Sequence, residues 1–134
     1  MRTCTLDEFI VSYAKATITR RNEYVKSGRI KSHSLTVQHL IEIFPRDMKC
    51  PVFNIEMTFV SAQPNSVELD RVNRDYEYEY KDGNVAWISA KANRCKCDST
   101  SEELFAIASW LQERKERELQ LLEDEMQAQV VSSS

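Results

Sequence analysis

The chain has 134 residues, 42% of them hydrophobic and 29% charged, with two Gly and three Pro. That is one domain, or one domain with a tail, of globular composition; it excludes Rossmann dehydrogenases, TIM barrels and kinases, which need roughly 200 residues or more, and no run nears the ~18 apolar residues of a membrane span. The net charge of −3 is uneven: residues 1–49 carry +4, residues 50–98 carry −2 and residues 99–134 carry −5, so a basic front and an acidic tail can orient the chain on a polyanion.

Residues 5–27 predict a first helix, with Leu6, Phe9, Ile10, Tyr13, Ala14 and Ile18 at helical spacing. Thr5 and Glu8 form a capping box, and Gly28 ends the helix. Its polar face holds Lys15, Arg20, Arg21 and Lys26; the group Arg20, Arg21, Lys26, Arg29 and Lys31 suits a nucleic-acid backbone or a solvated face equally well. Residues 34–44 predict a shorter helix with Leu35, Leu40, Ile41 and Phe44 as its stripe, capped by Ser34 or Thr36 and stopped by Pro45.

At Cys50 the pattern changes. CPVFNIEMTFV predicts one or two short strands, SAQPNS a loop and VELDRV a strand. YEYEY, from Tyr76 to Tyr80, alternates with period two and predicts the arm of a hairpin or an ordered loop, KDG a turn, and NVAWIS a strand with Val85 and Trp87 on one face. SAKANRCKC predicts a short helix from Ser89 to near Asp98. Thr100 and Glu103 then form a capping box for a long last helix, with Leu104, Ile107, Ala108 and Leu111 as the expected buried stripe and Trp110, like Trp87, as a core aromatic. Leu119, Leu122 and Met126 keep the spacing for around 28 residues, about 42 Å. The second half of so long a helix is expected to project from the core and to offer a homodimer contact, and the VVSSS end to fray.

The N-terminus MRTCTLDEFIV lacks the apolar stretch of a secretory signal, so Cys4, Cys50, Cys95 and Cys97 are expected to be reduced. One C-x-C, a lone Cys50 and the upstream His33 and His39 do not make the paired spacing of a structural zinc site. Asp70 ends one strand and Asn93 lies on the short helix after the next, so a hairpin followed by a helix can bring them together. One carboxylate and one amide oxygen, with waters and a phosphate oxygen, suit Mg²⁺, which can stabilise a phosphodiester under hydrolysis.

At these residues the sequence resembles the phage-encoded HNH proteins of the endonuclease VII-like type, in the His-Me finger (ββα-metal) superfamily. LDR at 69–71, GNVAWIS at 83–89 and AN-x-x-K-x-D-S-T-x-E-E-L from Ala92 to Leu104 match that family's pattern in order, and CPVF resembles its lead-in. The likeness covers about residues 50–110. It implies a metal-binding carboxylate at Asp70, a loop-ordering Asn at Asn84, a metal ligand at Asn93 and a phosphate contact at Lys96. The position of the usual general-base His holds Arg71, which stays protonated and suits a phosphate clamp. Asn73 replaces an Asp frequent in that branch, and the YEYEY hairpin is longer than the family's. His33 or His39 is then the alternative source of a base.

The expected protein is α+β: an N-terminal helical region (1–48), an HNH-like ββα-metal core (49–111) and a C-terminal helix extension with a frayed tail (112–134). The resemblance implies a DNA endonuclease acting with Mg²⁺ or another divalent metal in the cytoplasm of a phage's host. Asp70, Arg71, Asn84 and Asn93 would be catalytic, Asp70 and Asn93 the metal ligands, and Arg71, Arg74, Lys91, Arg94 and Lys96 the nucleic-acid contacts. The alternative is a catalytically degenerate HNH fold that binds or inhibits a host protein or a nucleic-acid enzyme.

Overall fold

A two-stranded antiparallel ribbon organises the first of two units in a computed structural model, which describes residues 5–72 and 84–132. The units are residues 1–97 and 98–134. The architecture is α+β, with four helices and the one ribbon among the described residues. The YEYEY arm, the KDG turn, Asn73, Arg74 and Cys4 lie outside the described residues.

Helix α1 (Leu6–Lys26) starts where expected, with the Thr5 hydroxyl accepting the Glu8 N–H at 3.2 Å. Its buried stripe is Ile10, Ala14, Thr17 and Arg21, a helical spacing that begins apolar and ends polar. Gly28 (φ +78°) takes the left-handed turn that lets Arg29 N–H reach the Tyr24 carbonyl at 2.9 Å. Helix α2 (Val37–Glu42) is shorter than the expected 34–44. Thr36 caps it through the His39 N–H, and Leu35 N–H is already spent on His33 Nδ1 at 3.2 Å, which holds 33–35 outside the helix. Arg46 pairs with Asp7 at the start of α1.

The strands expected in CPVFNIEMTFV do not form. Cys50 N–H bonds the Ile55 carbonyl and Asn54 N–H the Cys50 carbonyl, both at 2.8 Å, closing a turn in which Asn54 is left-handed at φ 57°. Only the isolated bridges Lys49–Glu56 and Thr58–Ser66 survive around it. The turn is anchored from inside by the Cys50 thiol, which accepts Ser89 N–H at 3.3 Å. Burial pushes that thiol up, but the hydrogen bonds from Ser89, Phe53 and Val52 outweigh it and its pKa is lowered.

Strands β1 (Val67–Arg71) and β2 (Val85–Ser89) pair with Leu69 opposite Trp87 and Asp70 opposite Ala86. Side chains alternate across the ribbon, so Val67, Leu69, Val85 and Trp87 share one face while Glu68, Asp70, Ala86 and Ile88 share the other. The first face meets α1 and α2. Trp87, 2% exposed, donates its indole N–H to the Leu40 carbonyl at 2.9 Å and lies 5.7 Å from the Tyr13 ring and 5.4 Å from the Phe44 ring. The second face is crossed by α3 (Ala90–Lys96), which follows β2 with no loop. Its first N–H groups are all used: Ala90 on the Ser66 carbonyl, Lys91 on the Pro64 carbonyl and Ala92 on the Ser89 hydroxyl.

The second unit is helix α4 (Ser101–Ser132). Thr100 and Glu103 form the reciprocal capping box, with each backbone N–H bonded to the other's side-chain oxygen. At 32 residues, about 48 Å, the helix outruns the expected length and includes Val130 and Val131 rather than fraying there. Good helix formers and the i,i+4 pairs Gln112–Glu116 and Gln120–Asp124 sustain it. The expected buried stripe is corrected: Ile107 and Leu111 are exposed, and so is Trp110, whose ring is covered by the Arg114 guanidinium at 5.0 Å. No helix among the described residues is long and apolar enough to cross a membrane.

Trp87→Phe keeps a ring in the core but strands the Leu40 carbonyl. Urea denaturation is expected to show a loss of about 1–3 kcal/mol, against about 3–5 kcal/mol for Trp87→Ala.

Candidate metal and phosphate site

The ribbon's second face carries the candidate site. Asp70 is buried to 8% exposure by its position under α3, and a carboxylate so placed needs a cation. The α3 residue that supplies it is Lys96, whose Nζ is 3.3 Å from Asp70 Oδ2 and 3.3 Å from the Arg71 carbonyl. Asn93, one helical turn earlier, faces a pocket beside Glu68. Asn84 is buried at the head of β2, and its carbonyl accepts Val72 N–H at 2.7 Å, extending the ribbon one rung beyond the strands. Arg71 is half-buried on β1, while Lys91 and Arg94 are exposed on α3. Arg74 lies outside the described residues.

The donor set can be tested against a metal. No group of three or more His, Cys, Asp or Glu capable of holding one exists among the described residues. Cys95 and Cys97 are exposed free thiols and Cys50 is buried elsewhere, which is not a zinc geometry. Mg²⁺ asks for less, since one or two carboxylates with waters and substrate phosphate oxygens suffice. Among the described residues Asp70 is the one carboxylate at this contact, and Lys96 already engages its Oδ2. A single carboxylate suits only a hard cation whose other ligands are waters and phosphate oxygens, and does not make a closed protein cage.

His33 is not poised as a base. Its Nδ1 accepts Leu35 N–H, which makes Nε2 the protonated nitrogen, and Nε2 bonds Asn22 Oδ1 at 2.6 Å. Burial lowers its pKa, and the Arg21 guanidinium lowers it further. His39 sits on α2, half-buried in the helix that carries the Trp87 hydrogen bond.

The sequence left one feature unplaced. Tyr13, Thr17, Arg20, Arg21 and Tyr24 fall on one face of α1 and, with Arg29, line an open pocket of about 220 Å³. Across it stand Glu68 and Leu69 of β1 and Asn93 of α3. The helical spacing of 13, 17, 20, 21 and 24 was the available signal; the facing wall belongs to elements more than forty residues away. Tyr13 is fixed by its hydroxyl, which donates to the Val67 carbonyl at 2.7 Å. Burial raises its pKa, with Arg20 opposing and Glu68 adding.

No family model, curated protein or solved structure matches the chain.

The His33 ring is expected to titrate below the ordinary value of about 6.5 when followed by NMR. The unfolded chain then takes up the proton first, so stability is complete above about pH 6.5 and falls as the pH drops toward the folded-state value. Acidification from pH 7 to 5 is expected to cost the wild type more than His33→Gln. An equal loss in both would show that His33 does not contribute.

Proposed function

We propose that the chain is an HNH-type DNA endonuclease that cleaves phosphodiesters with a divalent metal. The observation that supports it best is the order of parts: a carboxylate on the first strand, an Asn heading the second, and a helix running directly from that strand back across Asp70. In this reading the Asp70 carboxylate would hold the metal, and Asn93, one turn before Lys96 on α3, would supply the amide oxygen. The ion would polarise the scissile phosphate and screen its developing charge. Asn84 orders the ribbon end through the Val72 bond. Lys96 turns from Asp70 toward the phosphate, whereas the Arg71 side chain shares the ribbon's first face with Leu69 and Val85 and stands apart from that contact. Arg71 cannot take a proton and both nitrogens of His33 are engaged, so the attacking water gives its proton to solvent.

One observation favours a second reading. The Lys96 ammonium already neutralises Asp70, as it would in a protein of the same design that binds nucleic acid, or a host protein or nucleic-acid enzyme, without cutting.

Wild-type protein with Mg²⁺ or Mn²⁺ is expected to nick supercoiled plasmid, and Asp70→Ala to lose that activity with an unchanged circular dichroism spectrum. His33→Gln is expected to nick as the wild type does. Nicking that survives in Asp70→Ala defeats the assignment; clean wild-type protein that never nicks leaves the non-cleaving reading.

A further inference from the structure

The pocket on α1 is not required by the fold, and apart from Asn93 it shares no residue with the chemistry proposed at Asp70. Its cationic content is high: the guanidiniums of Arg20, Arg21 and Arg29 against the single carboxylate of Glu68. Arg29 lies 4.3 Å from the Tyr24 ring centroid and Arg21 5.4 Å, so the aromatic ring fixes the two planar cations in place. Arg21 is itself 7% exposed. A buried arginine in a helix stripe that opens with Ile10 and Ala14 is a costly choice for packing alone.

The opposite wall adds main-chain donors. Val72 N–H bonds the Asn84 carbonyl, so by strand alternation residues 68, 70 and 72 turn their N–H and C=O groups toward β2, while 67, 69 and 71 turn theirs outward. Two outward residues are visibly used: the Val67 carbonyl by the Tyr13 hydroxyl and the Arg71 carbonyl by Lys96. Leu69 lies between them, directing its N–H and C=O along the pocket wall. An anion there meets forked guanidiniums, a backbone N–H and the Asn93 amide. That set matches tetrahedral phosphate oxygens better than a planar carboxylate or an apolar group.

We infer that this pocket is a second phosphate subsite, which grips a nucleic-acid strand beside the cleavage site. Glu68 and Asp70 are two strand residues apart, about 7 Å. That spacing is short enough for neighbouring phosphates of one strand to reach the pocket and Lys96 together. The subsite deepens the nuclease reading and rests on it for the direction of the strand, but its binding is measurable without cleavage.

The test is fluorescence anisotropy of labelled duplex and single-stranded oligonucleotides in EDTA, titrated with salt from about 50 to 200 mM. The variants are Arg20→Ala with Arg29→Ala, both exposed residues, and the corresponding double Lys variant. Lys115→Ala with Arg117→Ala on α4 removes the same charge elsewhere. The Ala pair is expected to bind at least tenfold more weakly and to reduce the slope of log affinity against log salt by about two. The Lys pair is expected to keep the slope while losing affinity, because charge survives and the fork does not. The α4 control is expected to bind as the wild type. An unchanged slope in the Ala pair, or no binding by the wild type at low salt, overturns the subsite. So does inorganic phosphate displacing the labelled strand as readily, phosphate for phosphate, as unlabelled strand does, since the occupant is then a free anion. Binding through the arginine pair without plasmid nicking removes the cleavage reading and leaves the subsite standing; nicking with an unchanged slope does the reverse.

Discussion

A ribbon of two strands is at best marginally stable in water, and everything else in the first unit follows from covering this one. Trp87 does most of that work on the first face. It fills the space between Tyr13 and Phe44, and its indole N–H satisfies the Leu40 carbonyl near the end of a six-residue helix. Helix α2 is too short to persist by its own propensity. The bond and the ring contacts hold it, and α2 in turn completes the pocket that keeps Trp87 dry. Cys50 plays the matching part at the far end, where Ser89 N–H donates to its thiol and joins the turn at 50–55 to the junction of β2 and α3.

Covering the second face creates the site. Helix α3 leaves β2 without a connecting loop and lies over the ribbon, which puts Asp70 under a helix instead of in water. A carboxylate there is sustained only by a cation. Lys96, on the last turn of α3, is the residue the geometry delivers. The same contact holds the helix down, because the ammonium also reaches the Arg71 carbonyl. Structural and chemical roles therefore fall on one pair. In the proposed reading, a cation arriving at Asp70 would compete with the interaction that closes the fold over it, and a phosphate arriving with it would give Lys96 a second partner.

The parts legible from sequence were those with local causes. Thr5, Thr36, Ser89 and Thr100 all cap helices through their own hydroxyls, and caps are written within four residues of the helix they start. The two strands showed through β-branched and aromatic residues between turn signals. CPVFNIEMTFV misled because its β-formers are broken by a left-handed Asn54 and a turn closed on Cys50, which only tertiary hydrogen bonds reveal. The α4 stripe misled for a related reason: helical periodicity reports amphipathicity and not what, if anything, covers the apolar side. At the site, Asp70 and Lys96 were both named from sequence as residues of interest, but their pairing was not. Twenty-five residues and a strand crossing separate them.

Helix α1 shows how one stripe can serve both faces of the problem. Ile10 and Ala14 seal the core, and at Thr17 the same stripe stops being apolar. Had Thr17 and Arg21 been leucines, the helix would have closed down along the outer edge of β1, burying more area at about 25 cal/mol per Å² and leaving no pocket. Polar residues there forgo that burial. What the chain keeps instead is a row of guanidiniums, two of them braced on Tyr24, facing the outer edge of β1. The excess positive charge of residues 1–49 is thus gathered, in part, next to Asn93 and Glu68 rather than spread over solvent. Within the first unit, a polyanion therefore meets its strongest attraction at this one face of α1, although the chain as a whole is negative.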